Sequence, residues 1–229
     1  MKRKLFISVF VIMVMSGLFA TVGHYLTPRP TAQMLETMTI VPGPQWFLEQ
    51  LPRYDRHAVI AALHVVPSFV FMLLILFQLS GRLRQRYLQV HRWTGRVFVV
   101  MSIVIGISGL MLGVIMPFGG AVETLVVSVI GIGFLYSLMM GVVRIRHGRI
   151  AEHRYWMLHM AALGFAPVTM RLLLGIGIYT TSFPGPALFG PTMLLGTIIN
   201  LLLLHGLVLG TNARVSEQQE PMGNRIQEL

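Results

Sequence analysis

The chain contains no cysteine, and only 11% of its 229 residues are charged, with eight acids against 18 lysines and arginines. The missing cysteine excludes a disulfide framework, thiolate zinc sites, cysteine-held iron–sulfur clusters and covalent c-type haem attachment. It also leaves the compartment unmarked. Soluble domains are about 25% charged, so the shortage of charge excludes most water-soluble architectures. What is present in excess is hydrophobic side chain, 55% of the total, gathered into runs of about 20 residues, the length that crosses a hydrocarbon core of about 30 Å. This is the composition of an all-α, multi-pass integral membrane protein. The net charge of +10 then reports loop topology before anything else, and nucleic acid is not an expected partner.

The runs predict six transmembrane helices, at 5–23, 58–80, 97–116, 122–143, 155–178 and 188–210. Alternate loops divide the basic residues unevenly. One side receives Lys2, Arg3, Lys4, Arg82, Arg84, Arg86, Arg92, Arg96, Arg144, Arg146, Arg149, Arg154, Arg214 and Arg225, while the other holds Arg29, Arg53 and Arg56. By the positive-inside rule both termini are cytoplasmic. The expected layout is a transmembrane anchor over 1–23, an extracytoplasmic loop over 24–57, a five-helix membrane domain over 58–210 and a polar cytoplasmic tail over 211–229. The first span also fits a signal peptide, but Thr21, Val22 and Gly23 make a poor small-x-small cleavage site, and an uncleaved anchor is expected. In the long outer loop, Pro42, Gly43 and Pro44 followed by Trp46, Phe47 and Leu48 read as a turn and an aromatic stretch at the interface. An interfacial anchor and a lid over the outer mouth both fit that stretch.

Two cytoplasmic loops align without gaps at an offset of 62 residues. Arg82, Arg84, His91, Arg92 and Trp93 fall on Arg144, Arg146, His153, Arg154 and Tyr155. A duplication would relate the hairpin of spans 2 and 3 to that of spans 4 and 5 by a pseudo-twofold along the membrane normal, as in parallel repeats of some transporters. In span 3, Ser102, Gly106, Gly109 and Gly113 line small residues along one helix face and predict a close helix contact, as do Ser137 and Gly141 in span 4. Gly131 and Gly133 have no lysine and no strand beside them, so they make no phosphate loop.

His64, the Arg82 and Arg84 pair, the run His91-Arg92-Trp93-Thr94-Gly95-Arg96, the run His153-Arg154-Tyr155-Trp156-Met157, and Arg171-Leu172 together resemble the bacterial membrane family called domain of unknown function 2306, over roughly 56–178. The His-Arg-x-x-Gly-Arg and His-Arg-x-Trp-Met strings are not forced by hydropathy. The resemblance implies a multi-pass membrane fold; it supplies no reaction, and no catalytic residue is carried over from it.

Polar groups inside spans cost free energy, about 2.5 to 3.5 kcal/mol for a central charge, so each calls for a partner or a use. At 1.5 Å per residue, His64 and Arg171 both lie about 9 to 11 Å below the outer boundary. Pro67 and Pro167 lie close by and free the carbonyls of Leu63 and Leu163. Glu123 is the one acid near that level. Two readings are open: a structural Arg171 to Glu123 pair with His64 as hydrogen-bond partner, or a ligand site of His64, Arg171 and Glu123 for an anionic or carbonyl-bearing molecule such as a quinone headgroup. Toward the cytoplasm, His159 and His205 lie level, about 6 to 8 Å from the boundary. Two imidazoles at one depth on different helices are what a b-type haem requires; satisfaction of each ring by a carbonyl or water is the structural alternative. His64 has no level histidine partner, which argues against electron transfer through two haems. At the cytoplasmic face, Arg82, Arg84, His91, Arg92, Arg144, Arg146, His153 and Arg154 are expected to meet anionic lipid headgroups at helix starts. A zinc site at His91 and His153 lacks a clear third ligand, and no metal site is expected. The functional expectation is a small redox-type membrane protein binding b-type haem or a quinone, against a non-enzymatic transport, lipid-contacting or assembly protein whose polar residues are structural.

Overall fold

The computed structural model describes Met15, Arg53, residues 55–181, Phe183 and residues 185–209. The described residues are helical and contain no strand: α1 (Ala58–Leu79), α2 (Gly81–Arg86), α3 (Leu88–Ile115), α4 (Gly120–Arg146), α5 (Ile150–Gly164), α6 (Ala166–Thr180) and α7 (Gly185–Leu203), which runs on as a π-helix over Leu204–Leu209. Among the described residues five segments are long and apolar enough to cross a membrane: Ala58–Leu79, Leu88–Ile115, Gly120–Arg146, Ile150–Ile178 and Gly185–Gly206. The expected anchor over 5–23 lies outside the described residues but for Met15, as does the tail over 211–229.

The hydrophobic runs mark where helices cross apolar lipid, and the helices extend past them. α3 begins at Leu88, nine residues before the expected 97, and α5 at Ile150, five before the expected 155. Intrahelical hydrogen bonds satisfy the backbone in headgroups and water as well as in lipid, so a helix does not stop where its apolar residues stop. The span expected over 155–178 is broken. Phe165 separates α5 from α6, and Pro167 in the first turn of α6 lacks the N–H that would continue the ladder. Within the broken region the Ala162 carbonyl accepts a hydrogen bond from Asn200 Nδ2 on α7 at 3.1 Å, while Thr169 donates its hydroxyl to Asn200 Oδ1 at 2.8 Å. One buried asparagine thus joins both halves of the interrupted span to α7.

α1 packs on α3, α4 on α5, α3 on α4, and α7 on α6 and α4. Two apolar clusters fill the bundle. One gathers Phe71, Ile75, Phe98, Phe134, Leu138, Met160 and Phe165, with Phe71 stacked on Phe98 at 4.6 Å between ring centroids. The other gathers Ile130, Ala166, Met170, Leu174 and Met193. The outer surface is apolar too: along α4 the exposed residues Val122, Leu125, Val129, Ile132, Met139 and Val143 recur at helical spacing from end to end. Such a stripe is soluble only against lipid.

The small residues of α3 do allow close contact, but against two neighbours. A Cβ on Gly113 would come within 2.6 Å of Val127 on α4, and one on Gly109 within 3.0 Å of His64 on α1. Gly141 of α4 receives Met157 of α5 in the same way, at 2.7 Å.

Candidate functional site

At the outer level, α1 carries His64 one helical turn before Pro67. Its Nδ1 lies 3.2 Å from the Ile105 carbonyl and 3.3 Å from Ser108 Oγ, both on α3. A carbonyl only accepts, so the bond to Ile105 places the proton on Nδ1. The Leu63 carbonyl, released by Pro67, lies 3.4 Å from the Ser108 hydroxyl, which also sits 2.6 Å from the Val104 carbonyl. The ring comes close to α3 where residue 109 is glycine: a Cβ there would stand 3.0 Å from its Cε1. Arg171 of α6 lies within electrostatic reach of this imidazole, and its Nη1 donates to the Pro167 carbonyl at 3.1 Å.

Glu123 behaves differently. It is buried, and its Oε2 accepts the N–H of Gly119 at 2.6 Å, closing the start of α4 on itself. Gly190 of α7 packs directly over it: a Cβ there would stand 3.1 Å from the Glu123 backbone nitrogen. Phe118 and Phe189 stack beside this junction at 5.0 Å. The expected pair of Arg171 with Glu123 is not made; the carboxylate takes a backbone donor four residues away, because a partner on its own helix turn costs less ordering than a long side chain from another span.

At the inner level, His159 of α5 and His205 of the π-helical turn meet edge to face, with ring centroids 5.0 Å apart, planes at 70° and Nε2 to Nε2 at 3.1 Å. His159 Nδ1 is held by the Tyr155 carbonyl at 2.9 Å, and the Tyr155 ring packs on the imidazole at 4.1 Å. Haem iron would sit on the line between two axial nitrogens. With metal–imidazole bonds of about 2.0 to 2.1 Å, trans ligands stand about 4.1 Å apart. The observed separation is an ångström short, and the rings touch where a porphyrin plane would pass. The residues are the right types at the right depth, and their spacing does not fit a bis-histidine haem.

At the end of the bundle that carries the loop arginines, His91 and His153 occupy the fourth position of α3 and α5 respectively. His153 Nδ1 bonds the Gly141 carbonyl at 2.8 Å. His91 Nδ1 is buried without a hydrogen-bond partner, and its ring lies within electrostatic reach of Arg84 and His153. Of the arginines, Arg82, Arg92, Arg146 and Arg154 are exposed. Arg144 instead pairs with Glu152, Nε to Oε2 at 3.1 Å, and Arg149 approaches the other oxygen at 3.6 Å. Among the described residues no group of three or more His, Cys, Asp or Glu side chains converges as a metal site.

Sequence reasoning missed Asn200, Thr169 and Ser108. A lone asparagine in an apolar span is itself a signal, since hydrocarbon offers its amide no partner and a second helix must.

These features define a multi-pass α-helical membrane protein with polar groups set at three levels. Residues 61–208 match the family described as predicted membrane protein, DUF2306, and the chain belongs to that family. No curated protein and no solved structure matches it.

Proposed function

We propose that this chain is a six-span protein of the bacterial inner membrane, both termini cytoplasmic, that takes a small carbonyl-bearing or anionic headgroup, such as that of a quinone, between His64 and Arg171. What supports the reading is an imidazole oriented through Nδ1 by Ile105 and Ser108, together with an arginine on another span that helical rise puts at the same depth. A guanidinium offers donors in a planar fork to a carbonyl or anionic oxygen, while Nε2 of His64, whose proton sits on Nδ1, accepts from a hydroxyl of the ligand, as a quinol would supply. Glu123 drops out of the site because Gly119 holds its carboxylate. With the inner pair too closely spaced for haem, the redox part of the reading rests on the quinone.

The basic residues of the loops support the topology, and the exposed Arg82, Arg92, Arg146 and Arg154 suit anionic headgroups. A duplicated hairpin is supported by helix starts in register, α3 at Leu88 and α5 at Ile150, and by matched burial of Phe98 with Met160 and Ser108 with Met170, all at the 62-residue offset. A second reading, that the intramembrane polar groups only fix helix packing, is favoured by the bonds of His64 to α3. Binding separates the two. In nanodiscs, a fluorescent quinone analogue should bind saturably to the wild type, and Arg171→Leu should abolish binding with thermal unfolding little changed. Equal binding by wild type, Arg171→Leu and His64→Leu would reject the ligand site, and a large loss of stability in both variants would favour the structural reading.

A further inference from the structure

The inner histidines carry a separate inference, independent of the outer ligand. Their Nε2 atoms converge at 3.1 Å from two different helical segments. A metal bound by two nitrogens at about 2.0 to 2.1 Å spaces them about 2.9 Å apart at a right angle, about 3.3 Å at the tetrahedral angle and about 4.1 Å when they are trans. The observed distance falls between the first two values. We propose that His159 and His205 form a cis bis-imidazole site for a single divalent first-row transition ion, with Cu2+ favoured.

Three features of the site support this. The Tyr155 carbonyl accepts from His159 Nδ1, which leaves the Nε2 lone pair aimed at His205; a carbonyl on the distal nitrogen is the usual orienting partner of a metal-bound histidine. Without an ion, His205 Nε2 must donate its proton to that lone pair. On binding, that proton moves to His205 Nδ1 and both Nε2 lone pairs face the ion, so no net proton is gained or lost by two neutral rings. His205 also sits in the π-helical turn Leu204–Leu209, and π turns inside helices recur at functional sites. Finally, His205 is exposed and His159 partly so, so neighbouring side chains leave the remaining coordination positions open. Neutral imidazole ligands suit Cu2+, Ni2+, Zn2+ and Fe2+, and Cu2+ heads the order of affinity.

The test uses tag-free, full-length protein in detergent, titrated with Cu2+ and followed by electron paramagnetic resonance and equilibrium dialysis. One saturable equivalent with a two-nitrogen hyperfine pattern is expected. His159→Ala should weaken binding by more than the about 10- to 100-fold that loss of an orienting partner alone costs, with one nitrogen left in the spectrum. His205→Gln retains an amide donor toward His159 and keeps the fold while removing the ligand, so it should behave as His159→Ala. His147→Ala, altering an exposed ring at the end of α4, should bind as the wild type does. Equal binding by the wild type and the His159→Ala, His205→Gln double variant would overturn the site. So would a Soret band in the protein as purified that these variants abolish, because it would assign the pair to haem.

Discussion

His64 and His159 are both fixed through Nδ1 by a backbone carbonyl, yet the two bonds have different consequences. His64 bonds across to another helix, at Ile105 of α3, and lies against Gly109. Its ring is part of how α1 and α3 pack. His159 bonds to its own helix one turn back, at Tyr155, and turns its other nitrogen outward to His205. The first arrangement ties stability to the ring; the second leaves a nitrogen presented to an open neighbourhood. Substitutions of His64 and of Gly109 beneath it should therefore act on folding, and those of the inner histidine pair on binding.

The largest effect is expected at the outer junction of α4 and α7. A Cβ at residue 190 would stand 3.0 Å from Val122 Cγ1, 3.1 Å from the Glu123 nitrogen and 3.3 Å from its Cα, and backbone atoms cannot step aside. Gly190→Val should destabilise by about 3 kcal/mol, at the upper end of overpacking costs, read as unfolding in mixed micelles. Next comes the pinned break in the fifth span. Asn200→Leu strands the Thr169 hydroxyl and the Ala162 carbonyl and should cost about 1 to 3 kcal/mol; an unchanged midpoint would remove Asn200 from the account of the break.

Gly109→Ala should cost about 1 to 2 kcal/mol by pressing on His64, and His64→Ala in the same chain should restore most of it. That recovery sharpens the contrast, because no comparable coupling is expected between Gly109 and His159. Arg171→Leu and Glu123→Leu should add, with a coupling within about 0.5 kcal/mol, since Glu123 answers to Gly119 and not to Arg171. A milder double variant would restore the ion pair that the sequence suggested. The smallest effect on stability belongs to His205→Gln, an exposed substitution that should stay within about 0.5 kcal/mol while ion binding is lost.

Depth was legible in the sequence and direction was not. A rise of 1.5 Å per residue is enough to put His159 level with His205 and His64 level with Arg171. The 3.1 Å contact of the inner pair depends on a change of helical pitch at Leu204–Leu209, and no residue in Leu-His-Gly-Leu-Val-Leu announces it. Pro67 and Pro167 did announce the carbonyls they free. Ser108 reaches the one at Leu63, and the region of the other is bridged by Asn200 at Ala162, one residue earlier. The local bond of Glu123 was not read from the sequence, although an acid near a helix start has a backbone donor close by, here the N–H of Gly119. The early starts of α3 and α5 escaped a reading tuned to hydropathy because the polar residues there, Gln89, His91 and Arg92 in one and Glu152, His153 and Arg154 in the other, look like loop and are helix.

The break at Phe165 changes how force could pass along the fifth span. An unbroken helix is a rod, and a push at one end is felt at the other. Here the rod is cut, with α5 bearing His159 on one side and α6 bearing Arg171 on the other, and a side chain of α7 serves as the pin through the joint. The two halves are therefore held to each other twice, through the chain at Phe165 and through the Asn200 pin of α7.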